Sequence, residues 1–189
     1  MIGVKVGANY SNLKPITPLN GQGPVVGYSF AGSMETYLHN FLYFQGELAI
    51  NQKGYVFKDS SFTVRRTFTY LEIPLMLKAA YWRPAISDNF YSLGMGPSLG
   101  YALFGYESTD DFTSFHQWAF TNNNRRFDFG GIINLTYGHS FSFGYLTFET
   151  RFYKGFLKIE NTPNQPKFQT FSFSVGFLFY KPRSLGHRF

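Results

Sequence analysis

Ten ionisable side chains stand at alternate positions inside otherwise apolar stretches: Lys5, Glu35, Glu47, Lys53, Glu72, Lys78, Arg126, Asp128, Glu149 and Arg151. Residues of these types can exchange protons, line an ion path, or neutralise one another in a closed interior. Five are cations and five are anions, so the set cancels. In the narrow interior of an eight-stranded barrel, balance is close to a requirement, because each unpaired buried charge costs several kcal/mol. The expectation is therefore a lumenal charge network acting as a salt-bridge plug, with acid–base machinery or an ion path as the alternative for Glu47, Glu72, Glu149, Arg126 and Arg151.

Other candidates for chemistry are thin. His39, His116, His139 and His187 have no His, Asp or Glu neighbour at ligand spacing. Glu107 with Asp110 and Asp111 lacks the glycine turn of a calcium loop and reads as a solvated acidic segment. The glycine-rich GMGPSLG has neither the lysine nor the following helix of a phosphate loop. With no cysteine, thiolate metal sites, Cys nucleophiles and disulfides are excluded. No nucleophile with an adjacent base is visible, and the expectation is no catalytic residue, no metal and no cofactor. The net charge of +6 invites a nucleic-acid partner, but the basic residues are scattered apart from Arg65-Arg66, Arg125-Arg126 and a basic tail, so none is expected.

The charges must be positioned by strands, because the alternation around them has a period of two. In FQTFSFSVGFLFY the odd positions Phe171, Phe173, Val175, Phe177 and Phe179 are apolar, and Ser172, Ser174 and Gly176 lie between them. The same pattern recurs from Ile2 to Tyr10, Val25 to Glu35, Phe41 to Lys53, Phe68 to Ala79, Phe90 to Phe104, Arg126 to Tyr137 and Tyr145 to Tyr153, which makes eight strands. Pro74 falls mid-strand on a polar face and predicts an edge or a bulge. Connections alternate: long segments follow strands one, three, five and seven, while short ones follow two, four and six. Long loops at one end and short turns at the other are the plan of an up-and-down outer-membrane barrel with both termini periplasmic.

Composition agrees: aromatic residues reach 21%, with 24 Phe and 14 Tyr, against 15% charged. So many large apolar side chains exceed what an eight-strand lumen holds, and they would expose a monomer to aggregation if they faced water. Polar-in, apolar-out follows, with Phe171 to Phe179 on acyl chains and Tyr10, Tyr28, Tyr37, Tyr101, Tyr137 and Tyr180 in interfacial girdles. No apolar run reaches the length of a membrane helix. No signal peptide opens the chain, which suits a cytosolic or a mature form.

The segments GVKVGANYSNL, LYFQGELAINQKGY, YLEIPLMLK, GMGPSLGY and FDFGGIINLTYG give the chain a resemblance to the PorT-like outer-membrane β-barrel family of Gram-negative bacteria. YLEIPLMLK is the most specific, with a Glu and a Pro on one face of an apolar strand. The resemblance implies an eight-stranded barrel, usually made with a cleaved signal peptide, and one branch of the family is similar to components of a secretion and gliding apparatus.

Residues 1–180 are thus expected to form a single all-β, eight-stranded antiparallel transmembrane barrel, followed by a basic tail, 181–189. It is expected in the bacterial outer membrane, among lipid and lipopolysaccharide, as a non-enzymatic structural or partner-binding protein. The aromatic stretch containing Phe112, Phe115, Trp118 and Phe120 is the candidate for protein contact at the long loops. A small pore is the alternative within the membrane; a soluble lipocalin-like carrier is the alternative outside it. Refolded in detergent, the chain should show a β-type circular dichroism spectrum and a boiling-dependent shift in gel mobility. A water-soluble monomer without the shift would reverse every face assigned above.

Overall fold

The computed structural model describes residues 1–14, 21–58, 63–82, 89–109, 114–117, 126–158 and 166–179. Nine strands follow in chain order: β1 (Ile2–Lys14), β2 (Gln22–His39), β3 (Leu42–Lys58), β4 (Thr63–Trp82), β5 (Asn89–Thr109), β6 (Ser114–Gln117), β7 (Phe127–Phe141), β8 (Gly144–Gly155) and β9 (Lys167–Phe179). Each long strand pairs antiparallel with its neighbours, in the order β4-β3-β2-β1-β9-β8-β7-β5, and a β4–β5 ladder closes the ring. Eight strands therefore form the barrel wall. The ninth, β6, is a four-residue strand that pairs with the far end of β5 through Tyr106↔Gln117 to Thr109↔Ser114.

Alternation fixes the two faces. On β1, Ile2, Val4 and Val6 are more than half exposed, while Lys5, Asn9 and Ser11 are buried. This is the reverse of a water-soluble barrel, and it holds on all eight wall strands. Outward-facing leucines, phenylalanines and isoleucines are left about half exposed, so much of their stabilisation has to come from an apolar surrounding.

Several expectations change. The wall strands run past the expected ends, so only residues 59–62 separate β3 from β4, fewer than the residues 83–88 between β4 and β5. Strand extension, rather than coil alone, makes the asymmetry between the two ends, because continued cross-strand hydrogen bonding satisfies backbone groups that a loose loop would leave to water. At the other end β2 turns into β3 through Asn40 and Phe41, and Asn40 takes φ 49°, a left-handed conformation that Asn tolerates in a two-residue hairpin.

Pro74 does not demote its strand. β4 keeps partners on both sides, with Pro74 opposite Ser98 of β5, and the β3–β4 ladder simply skips between Leu75↔Gly46 and Glu72↔Ala49. A bulge at Leu103 shifts β5 against β4 between Thr69 and Tyr70. On β2 the ladder to β3 lapses between Pro24 and Ser29. Side chains of β1 fill that gap: Asn9 Nδ2 donates to the carbonyls of Tyr28 at 3.0 Å and Gln52 at 3.2 Å, and Ser11 Oγ accepts from the Gly54 amide at 2.7 Å.

Large lumenal side chains sit across from small ones. Lys5 pairs with Gly176, Lys78 with Gly94, Glu72 and Asp128 with Gly100, Glu47 with Ser33, Glu149 with Ser174 and Arg151 with Ser172. A Cβ on Gly176 would stand 2.7 Å from Lys5 Cγ, inside contact distance. Gly176→Leu should therefore lower stability by about 1–3 kcal/mol or more, through overpacking. Gly32→Ala, on the outer face where a Cβ meets nothing within 4 Å, should change it by less than about 0.5 kcal/mol. Urea unfolding in detergent, followed by the gel shift, compares the two.

Candidate functional site in the barrel lumen

The lumenal charges assemble into three groups stacked along the barrel. The middle group is a four-membered ring in which each cation touches both anions. Lys5 Nζ lies 2.6 Å from Glu47 and 2.8 Å from Glu149, and Arg151 Nη2 lies 2.8 Å from Glu47 and 2.6 Å from Glu149. Lys5 comes from β1, Glu47 from β3, and Glu149 with Arg151 from β8, so the barrel must close before the ring can form. Neutral donors take up further carboxylate lone pairs: Asn134 Nδ2 donates to Glu149 at 2.9 Å, Thr136 Oγ1 at 3.2 Å, and Gln45 donates to Glu47. Charge-assisted bonds of this kind are short and strong, and here they satisfy both buried cations at once.

Toward the short-turn end, Lys78 pairs with Glu35 at 2.7 Å. Toward the long-connection end, Lys53 bridges Glu72 and Asp128, the latter at 3.4 Å, while Asn51 donates to Glu72 at 2.7 Å. The Lys53 ammonium also lies 3.5 Å from the centroid of the Tyr153 ring, with Tyr70 at 5.3 Å and Phe168 at 5.9 Å. An ammonium over ring faces gains cation–π attraction where water is excluded.

Aromatic rings pack above that lysine. Leu13, Tyr55, Phe68, Tyr70, Met76, Ala102, Ile132, Tyr153 and Phe168 form a buried apolar cluster inside the barrel, with Phe168 edge-on to Tyr70 at 5.9 Å and to Phe68 at 6.2 Å. The expectation that only modest side chains fit inside is overturned, because the lumenal glycines and serines concede the volume. The signal was readable: Phe68, Tyr70 and Phe168 share the parity of Glu72 and Gly176 and not that of the outward phenylalanines. Beyond the cluster, Arg66 donates to Glu107 at 2.6 Å and to the Tyr55 hydroxyl at 2.7 Å, a contact that sequence spacing did not suggest.

Of the ten expected lumenal charges, Lys5, Glu35, Glu47, Lys53, Glu72, Lys78, Asp128 and Glu149 are buried inside, and Arg151 stands with them partly buried, its side chain 12% exposed. Arg126 differs. It is exposed, one residue before β7 begins, with its carbonyl accepting from the Ala102 amide of β5 at 2.7 Å. The interior balance is consequently four cations against five anions, with the extra carboxylate in the Lys53, Glu72 and Asp128 group.

The remaining site expectations fall as follows. Phe171, Phe173, Val175, Phe177 and Phe179 all stand on the outer face. Phe112, Trp118 and Phe120 lie outside the described residues, as do Asp110, Asp111, His187 and residues 181–189; Phe115 has a backbone place in β6 and no described side chain. His39 is exposed at the short-turn end, and His139 Nδ1 lies 2.6 Å from the Asn89 side-chain oxygen. Among the described residues no group of three His, Cys, Asp or Glu is placed to hold a metal.

A closed antiparallel barrel with charges paired inside and an apolar, aromatic-rich exterior defines an integral β-barrel membrane protein. The family model described as an outer membrane protein beta-barrel domain matches residues 1–161, and the chain belongs to that family, which resides in the bacterial outer membrane. Among solved structures, the fold is similar to that of Neisserial surface protein A, at 15% identity and a TM-score of 0.52, covering 94% of this chain and 97% of that one. Ail, the attachment invasion locus protein of Yersinia pestis, aligns at 11% identity and a TM-score of 0.45, over 93% of this chain and 96% of that one. No curated protein sequence matches the chain.

The ring predicts a large asymmetry between single and paired substitutions. Glu149→Leu leaves Lys5 and Arg151 with a single shared anion and should destabilise the barrel by about 3–5 kcal/mol. Adding Lys5→Met to it should recover part of that loss, since the pair removes one charge of each sign. Urea titrations of the two variants in detergent check this.

Proposed function

We propose that this chain is a non-enzymatic outer-membrane barrel whose lumen is occluded, and that it acts as a structural or partner-binding element through its long-connection end. In this reading the long-connection end faces the outside, both termini are periplasmic, and Phe171 to Phe179 lie against acyl chains. The observation that carries it is how small the voids among the described lumenal residues are. The void bounded by Lys5, Asn9, Asn51, Glu72, Arg151 and Ser172 amounts to about 20 Å³. That is room for about one water and not for a hydrated ion, since a single water centre already needs roughly 10–15 Å³. The aromatic cluster of Phe68, Tyr70 and Phe168 lies across the same axis and adds a second, apolar barrier.

With the lumen filled, the parts left open to a partner are the rim and the segments beyond it, including the aromatic stretch around Trp118. The PorT-like resemblance of the strand motifs supports a place within a larger outer-membrane assembly or secretion machine.

A small pore is the second reading, and the polar lining favours it: Asn9, Asn51, Ser172 and Ser174 surround the void alongside the ionised groups. Planar bilayers decide between them. The occluded barrel gives no stable single-channel steps in molar salt. Steps that change when Glu72 or Arg151 is substituted would establish the pore and overturn the plug.

A further inference from the structure

The outward face of β1, β9 and β8 can be followed row by row from the short-turn end to the long-connection end. Ile2 lies opposite Phe179, Val4 opposite Phe177, which in turn faces Leu146, and Val6 opposite Val175, which in turn faces Phe148. Ala8, Phe173 and Thr150 come next, followed by an aromatic row of Tyr10, Phe171 and Phe152. Above it stand Asn12, Gln169 and Lys154, and at the top Lys14 faces Lys167. Rows dominated by apolar and aromatic side chains thus give way to amides and ammonium groups, in the order in which a membrane changes from acyl chain to headgroup.

Two features of the upper rows call for an anion. Lys14 and Lys167 are directly opposed Cα partners, and like charges in that position destabilise a ladder unless something bridges them. Lys154 stands one rung away on the other side of β9, beside Gln169, which brings three lysines onto three adjacent strands. No described carboxylate on the outer face offsets them. Among the described residues, Glu35, Glu47, Glu72, Asp128 and Glu149 are buried in the lumen, and Glu107 is held by Arg66. Among the described residues, outward lysines and arginines gather at the long-connection end: Lys58 and Arg65 top β3 and β4, whereas Lys5, Lys53, Lys78 and Arg151 point inward.

We propose that Lys14, Lys154 and Lys167, with Asn12 and Gln169, form a site for the phosphate of an outer-leaflet glycolipid whose acyl chains lie along the Phe171 and Phe152 rows below. The inference rests on the orientation given under Proposed function, which brings these rows to the outer leaflet. Three ammonium groups neutralise a phosphate carrying up to two charges, and the two amides supply donors between them. The lipid relieves the Lys14–Lys167 repulsion, and its phosphate sits one rung above an aromatic row.

The test is native mass spectrometry of the detergent-refolded full chain, titrated with diphosphoryl lipid A, with its dephosphorylated form, and with phosphatidylcholine. The expected result is preferential retention of the diphosphoryl lipid. Lys14→Gln/Lys154→Gln/Lys167→Gln should weaken it by about a hundredfold, at roughly fivefold for each lysine. Lys58→Gln/Arg65→Gln, on the same rim but remote from the three, should weaken it by less than about threefold. The triple variant should keep its boiling-dependent gel shift and be at least as stable as the parent without lipid, because a like-charge pair has been removed. Equal retention of the dephosphorylated lipid or phosphatidylcholine, or an unchanged triple variant, would overturn the site. Complete displacement by inorganic phosphate at equal concentration would overturn the lipid as its source. The assay does not read conductance, so an open lumen would leave its result intact while overturning the occluded barrel.

Discussion

Closing a sheet of eight strands makes an interior too narrow for bulk water, and every side chain of inward parity has to live there. Such a space admits ionised groups only if they are neutralised locally and their remaining hydrogen-bonding capacity is used. The ring of Lys5, Arg151, Glu47 and Glu149 meets both conditions, with Gln45, Asn134 and Thr136 supplying the outstanding donors. Much of the rest follows from it. Gly176 is small because Lys5 must pass across it, and Ser33, Ser172 and Ser174 are small because Glu47, Arg151 and Glu149 lie opposite. The ring also pins register, since a slip of one residue would turn its members outward into lipid.

The same closure produces a lumen that is graded along its axis. Near the short turns one ion pair, Lys78 with Glu35, is enough. At mid-height the ring carries two charges of each sign. Above it Lys53 is shared between Glu72 and Asp128 and capped by aromatic rings, so the upper barrel combines an anionic excess with an apolar lid. Buried ion pairs are poor sources of net stability, because the cost of removing them from water offsets most of their attraction. Their value here lies in specifying one strand arrangement and in filling the interior. Outside this interior stand the rim and an outer face graded from apolar to cationic.

Polarity on the outside has its own logic. Outward carboxylates are absent among the described residues, while outward lysines and an arginine cluster where the long connections begin. Among the described residues the outward positive charge is therefore not spread evenly. Part of the positive excess stands at one rim, which is the arrangement that an anionic boundary layer attracts and that a nucleic-acid groove does not require.

What could be read from one dimension was whatever depends on parity. A period of two names two faces, and counting charges and phenylalanines on each is enough to turn the faces outward or inward, since a lumen cannot hold the apolar set and lipid does not tolerate the charged one. Strand number and the two faces of each strand followed from that alone, although Arg126, expected inside, stands exposed. Pairing did not, because Lys5 finds Glu149 only through the contact of the first strand with the last, and shear decides which rung meets which. Arg126 has inward parity yet is exposed one residue before β7 begins, and only the observed end of β7 shows that. Phe68, Tyr70 and Phe168 have inward parity as well, and the volume that admits them comes from glycines and serines on strands far away in sequence. Local spacing determined which way each side chain points; barrel closure, a long-range property of all eight strands, decided what it meets there.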